Sequence, residues 1–234
     1  MKTLERGFLL SKLNYSESSL ILKCFTEQHG LRTYLFQGAK KKNANVLLPL
    51  APIEFSAYQR TDSQLAKMTD AHLFYTFREI PFHPVKGALS FFMAEVLLYI
   101  LHENVVEKDL FDFIEFELQW FDQSPVYASY PLYWLTALCH YQGIMPLSAE
   151  GNYFDMENGT FSLVRPYNHL YKEGALVHSF REILTLSREE LLAASIDKSR
   201  RRELLHLLVE YLSLHIPGFK KLKSLEVIES SWYD

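Results

Sequence analysis

Along the first third of the chain, apolar and polar positions alternate with a period of two. Over residues 31–37, Leu31, Thr33 and Leu35 fall on one face, and Arg32, Tyr34 and Phe36 on the other. Such alternation predicts a strand. Similar stretches at 6–13, 19–26, 53–60 and 65–72 predict four more, parted by polar turns at 14–18, 29–30 and 61–63. Five short strands in about 70 residues, with a basic loop over 38–45 between the third and fourth, suit a small closed barrel such as an OB-fold.

Past Pro81 and Pro84 the period changes. Leu89, Phe92, Met93, Val96, Leu97, Ile100 and Leu101 follow i, i+3, i+4 spacing and form one helical face. Further helices are expected over 108–121 and 131–141, the second with its proline in the first turn. Residues 153–163 read as a β-hairpin with Asn158 and Gly159 as a two-residue turn. Ser187 and Glu190 form a capping box. Asp197 is the expected N-cap of a helix carrying Leu204, Leu207, Leu208, Tyr211 and Leu212, which Pro217 and Gly218 end. Residues 222–232 extend the helical part. The expectation is an α+β protein with a barrel over 1–80 and a helical domain with a small hairpin over 81–234.

Hydrophobic residues make up 48% of the chain and aromatics 15%, ample for a packed core. No apolar run reaches the roughly 18 residues of a membrane helix. The nearest, 88–101, is interrupted by Ser90 and Glu95, and the first seven residues lack a signal pattern. A soluble cytoplasmic protein without a membrane partner is expected. Cys24 and Cys139 lie far apart in apolar surroundings and read as buried, reduced thiols, not as a disulfide or a zinc site. The net charge of −4 is uneven: +4 over residues 1–80, −9 over 81–160 and +1 over 161–234. Polyanion binding follows local potential, so the first third is where a phosphate-binding surface is expected.

No phosphate-binding glycine loop, G-x-S-x-G turn, H-E-x-x-H or C-x-x-C occurs, and the nine histidines show no ligand spacing. The carboxylates of 103–122 sit between apolar helix positions and read as a solvated helix face. No catalytic residue and no cofactor are expected. The strongest charged feature is Lys40, Lys41 and Lys42 in the loop opened by Gly38. Three consecutive lysines repel one another, and strand phosphates would relieve that cost. A plain solvated loop is the alternative. Arg32 beside Tyr34 and Phe36 suits a single strand held by charge pairing and base stacking, unless these aromatics pack inward. Arg200, Arg201 and Arg202 open a helix whose dipole disfavours cations. They, with Lys220, Lys221 and Lys223, offer a further DNA or partner contact, or else a surface salt-bridge network.

The stretch LNYSESSLILKCFTEQHG, then FQGAKKK, resembles the start of the RecO family of recombination mediators, through Tyr15, Glu17, Ser18, Ile21, Leu22, Thr26, Gly30, Gly38, Ala39, Lys40 and Lys41. Near the other end, YLSLHIPGFKKLKSLEVI resembles that family's closing pattern, through Tyr211, His215, Pro217, Gly218, Lys223, Ser224 and Leu225. The resemblance implies an N-terminal OB-fold and a helical domain. It also implies binding of single- and double-stranded DNA and annealing of complementary strands. Recombinase would be loaded together with RecR and the C-terminal tail of the single-stranded DNA-binding protein, without nucleotide hydrolysis. Many family members carry a four-cysteine zinc site; here the matching segment, GIMPLSAEGNYFDMENGTFSL, has no cysteine, so no metal is expected. Two other readings stand beside the mediator: an interaction scaffold that does not bind DNA directly, and a nucleic-acid enzyme with an unrecognised site.

Overall fold

The structure is a computed structural model that describes residues 2–37, 47–58, 65–147 and 150–231. Lys40, Lys41 and Lys42, the turn at 61–63, the end of the expected fourth strand and Trp232 lie outside the described residues. The chain forms two compact units. One comprises Met1–Pro125 with Leu222–Ser231, and the other Val126–Lys221.

In the first unit, β1 (Lys2–Asn14), β2 (Leu20–Thr26), β3 (Gly30–Phe36), β4 (Pro52–Tyr58) and β5 (Ala66–Leu73) close into a barrel of order β1-β2-β3-β5-β4. Every pair is antiparallel except β3 and β5. β1 is longer than the periodicity predicts because it serves two neighbours. Its first half pairs with β4 (Thr3 opposite Ala57) and its second with β2 (Asn14 opposite Leu20). A register shift between Leu9 and Ser11 marks the change, and there Leu9 and Leu10 are both buried, against strict alternation. Inside the barrel, Leu22, Tyr34, Phe36, Ile53, Phe55 and Met68 form one apolar cluster. Gly30 makes the β2–β3 turn at φ +66°, and a Cβ there would stand 1.8 Å from the Val105 carbonyl oxygen.

Three helices complete this unit: α1 (Pro84–Ile100), α2 (Lys108–Gln123) and α7 (Ser224–Ser231). α1 starts at Pro84, whose missing N–H costs nothing in the first turn. Phe111 of α2 meets Phe8 of β1 at 5.1 Å and Phe25 of β2 at 5.5 Å between ring centroids. The connection between barrel and α1 is pinned from α2. The Asp122 carboxylate accepts the backbone N–H groups of Arg78, Glu79 and Ile80 at 2.7, 2.9 and 3.0 Å. The buried Lys86 ammonium donates to the carbonyls of Asp122 and Ser124 at 2.8 and 2.7 Å and pairs with Glu79. The change of period near residue 80 is thus an internal seam of this compact unit. α7 packs on α1, burying Leu222, Leu225 and Ile228. Its first N–H groups, from Lys223 and Ser224, are capped by the Glu95 carboxylate at 3.0 and 2.9 Å.

The second unit holds α3 (Tyr130–Tyr141), α4 (Ala175–Ile183), α5 (Arg188–Ala193), α6 (Lys198–His215) and a sheet of order β7-β6-β8. Its strands are β6 (Tyr153–Asp155), β7 (Thr160–Ser162) and β8 (Tyr171–Glu173). The Ser187 capping box forms, and the Asp197 side chain caps α6 by accepting the Arg200 N–H at 3.0 Å. The hairpin forms, but its turn needs correction. Asp155 pairs with Thr160, so four residues connect the strands, and among them only Gly159 has positive φ. A two-residue type I′ turn would need positive φ at Asn158 also. Phe154 centres the core of this unit, with ring centroids of Phe161, Phe180 and Tyr211 at 4.8, 4.9 and 5.5 Å. β8 and α4 had no clear signal in the periodicity. Cys24 and Cys139 are buried free thiols, and burial pushes the Cys139 thiol up to about 12.

Candidate nucleic-acid interface

β3 supplies both residues expected to hold a strand, Arg32 and Tyr34. Tyr34 is fully buried, its ring 4.9 Å from Phe55 in an edge-to-face contact. Burial first, and the Glu5 charge second, push its phenol well above the usual range. Its assignment as a stacking residue is therefore corrected: the face it shares with Phe36 is the barrel interior, where a base cannot reach. Arg32, two residues earlier on the strand, keeps partial exposure.

The loop carrying Lys40, Lys41 and Lys42 is rooted in the barrel at both ends. It leaves β3 after Phe36, which is buried between Leu20 of β2 and Met68 of β5. The described chain resumes at Leu47, a member of the interior cluster, whose carbonyl accepts from the Lys12 ammonium at 2.8 Å. The register of β1, β2 and β3 sets Asn14, Leu20 and Phe36 side by side, so the β1–β2 turn and the root of the lysine loop share one end of the barrel. Leu13 and Tyr15 at that end are 65% and 63% exposed. Tyr15 is thus an exposed aromatic at this end, whereas Tyr34 is buried. In the sequence Tyr15 stood out only as part of a family pattern, since alternation cannot say which aromatic the barrel turns outward.

Three described cations of the barrel meet carboxylates. Arg6 pairs with Glu115 at 2.7 Å and with Glu27 at 3.8 Å, and lies over the Phe74 ring. Lys23 pairs with Glu103 at 3.2 Å, and Lys2 with Asp70 at 4.0 Å. Such exposed pairs add little stability, but they offset positive charge that would otherwise attract phosphate. In the sequence, Lys40, Lys41 and Lys42 form the one run of three consecutive cations in residues 1–80. Beside the root of their loop, a cavity of about 630 Å³ is lined by Leu10, Lys12, Leu47, Phe91, Leu98 and Val227.

On α6, Arg200 pairs with Glu203 at 2.8 Å, and Arg201 donates to the Ile196 carbonyl just before the helix. Arg200 and Arg201 are thus each answered close to the start of the helix. Arg202 is exposed and lines a cavity of about 310 Å³ with Lys172, His206 and Glu210. Lys220 and Lys221 are exposed in the second unit and Lys223 in the first. Two residues of the closing pattern hold structure in place. The Tyr211 hydroxyl donates to the Ile144 carbonyl at 2.8 Å, and burial raises its phenol to about 12. His215 meets the Tyr211 ring in a tilted contact with centroids 4.3 Å apart, and donates through Nε2 to the Met156 carbonyl at 2.9 Å.

Among the described residues, no three His, Cys, Asp or Glu side chains stand together as a metal site. The segment where zinc cysteines would be sought is organised by Asp155. Its carboxylate accepts from the backbone of Glu157 and Asn158 at 3.0 and 3.1 Å, and from the side chains of Asn158 and Asn168 at 2.8 and 3.1 Å. No helix among the described residues is long and apolar enough to cross a membrane.

Residues 1–77 match the family model described as "Recombination protein O N terminal". A protein of Bacteroides fragilis named DNA repair protein RecO is 31% identical over 232 residues, covering 95% of this chain and 96% of that protein. Proteins of the same name from Flavobacterium psychrophilum and Phocaeicola vulgatus are 29% and 28% identical. They are covered over 98% and 96% of their own lengths. With the closed five-strand barrel in the matched segment and agreement over nearly the whole length, the chain belongs to the RecO family of DNA repair proteins.

Proposed function

We propose that this protein is a DNA recombination mediator that acts without a catalytic site. It binds single- and double-stranded DNA, anneals complementary strands, and helps load recombinase with RecR and the C-terminal tail of the single-stranded DNA-binding protein. Its place of action is the cytoplasm, at the nucleoid. The observation that carries this reading is a closed barrel whose β3–β4 connection bears three consecutive lysines, rooted beside an exposed tyrosine. Lysines that neutralise phosphates release condensed counterions and lower the repulsion between two strands. Tyr15 adds a stacking face that tolerates any base. Arg32 stays in the proposed contact set through its charge. Arg200, Arg201, Arg202, Lys220, Lys221 and Lys223 are proposed as a subsidiary contact for DNA or a partner.

The test replaces Lys40, Lys41 and Lys42 together with Ala and measures single-strand affinity against salt. Affinity should fall, and the log–log slope should become shallower by about 0.7 for each phosphate that is no longer neutralised. Thermal stability should change by less than about 0.5 kcal/mol, as for most surface substitutions. Unchanged affinity and slope would remove the loop from the interface. A wild-type protein that binds its protein partners but no oligonucleotide would favour the scaffold reading.

A further inference from the structure

Residues 163–172, the β7–β8 connection with the first two residues of β8, hold apolar and aromatic surface out to solvent on a fixed backbone. Leu163 and Val164 are 69% and 70% exposed, and Tyr167 is fully exposed at 103%. The loop is nevertheless tied down. Asn168 donates to both Asp155 carboxylate oxygens at 3.1 Å and accepts the Leu170 N–H at 3.1 Å. The Met156 N–H donates to the Leu170 carbonyl at 2.8 Å, and the Val164 N–H to the Ser162 hydroxyl at 3.0 Å. Arg165 donates to the Tyr171 hydroxyl, and its guanidinium lies 5.0 Å from that ring's centroid. Tyr171 in turn meets Tyr153 at 6.0 Å. The ten residues carry Arg165, His169 and Lys172 and no carboxylate; Lys172 is paired with Glu210 at 2.7 Å.

Solvent-facing apolar side chains on a pinned loop contribute nothing to the core, and such patches mark interaction surfaces. The chemistry of this one narrows the partner. Tyr167 offers an exposed ring on which a base can stack, and Arg165, two residues earlier on the same loop, offers a charge-assisted contact for its phosphate. In a duplex the base faces are already stacked on one another, so an unpaired strand is the form that fits. We propose that the 163–172 loop is a second single-strand contact, with a base on Tyr167 and a phosphate on Arg165. This rests on the DNA-binding reading above and extends it. A chain with one contact on the barrel and another on this loop can hold two complementary strands at once, as annealing requires.

The experiment uses the full chain with three variants, Tyr167→Ala, Tyr167→Phe and Arg165→Ala. Each is tested for binding to a fluorescent single strand, for annealing, and for photocross-linking to an oligonucleotide carrying 5-iododeoxyuridine. Cross-linked peptide should contain Tyr167. Tyr167→Ala should abolish that cross-link and bind roughly five- to tenfold more weakly, the scale of a single base–aromatic stack. Arg165→Ala should weaken binding and flatten its salt dependence, and Tyr167→Phe should retain binding. Full exposure of Tyr167 keeps the fold out of the comparison. If the wild type binds and anneals, both alanine variants match it, and no cross-link falls within 163–172, the proposal is overturned while the barrel reading stands. A wild type that binds no oligonucleotide would overturn both.

Discussion

Asp155 shows what one side chain can organise. It accepts from two backbone and two side-chain donors, closing the hairpin turn and fastening the 163–172 loop to it. Burial raises its carboxyl, but hydrogen bonds from Asn158, Asn168 and Glu157 outweigh this and hold it below the usual range. Asp155→Ala should therefore cost about 1–3 kcal/mol at neutral pH, since several donors are left without an acceptor. The pH dependence has a definite sign. A lowered carboxyl stabilises the fold above its unfolded pKa of about 3.9, and that contribution disappears as pH falls through the lower folded value. Thermal unfolding of wild type and Asp155→Ala should thus differ near neutrality and converge in acid. A gap that persists unchanged would show that the carboxylate's charge contributes nothing. None of this was visible in the sequence, where Asp155 stood as one acid among eleven over 81–160. Its partners Asn158 and Asn168 are brought to it by the turn and by β8, and β8 itself was not legible.

At the scale of elements, the signals confined to a few residues survived best. The Ser187–Glu190 capping box, the Asp197 cap and the start of the second helix at Lys108 all form as expected. Nine-residue α4 escaped because only Val177, Phe180 and Ile183 mark its buried face. The Lys86 clamp escaped for another reason: a lysine in a helix reads as solvated, whereas here α2 and the residues before α1 surround it. Lys86→Met should leave the Asp122 and Ser124 carbonyls without a donor, and Glu79 without its partner. A destabilisation of about 2–4 kcal/mol is expected, because removing one member of a buried charged network strands the others. Urea denaturation should show a lower midpoint with an unchanged slope. A midpoint within error of wild type would mean that apolar packing of the methionine replaces all three interactions.

For the molecule as a whole, the last helix belongs to the first compact unit. Leu225 and Ile228 are buried on it and Leu222 just before it, and Glu95 of α1 caps its start. A chain ending at Lys221 should be destabilised by roughly 5 kcal/mol, since each buried aliphatic side chain contributes about 1.5–3 kcal/mol. It should also expose apolar surface to a dye such as ANS. A melting temperature equal to that of the full chain would place α7 outside the cooperative unit. The five strands, the helices with strong periodicity or caps, the lysine run and the resemblance at both ends were all legible before any folding, because each is written in residues close along the chain. Tertiary structure alone decided that Tyr34 faces inward and Tyr15 outward, that β1 serves two neighbours, and that α7 returns to α1. Those outcomes depend on ring closure and on burial against distant segments, and no local period of two or 3.6 residues carries that information.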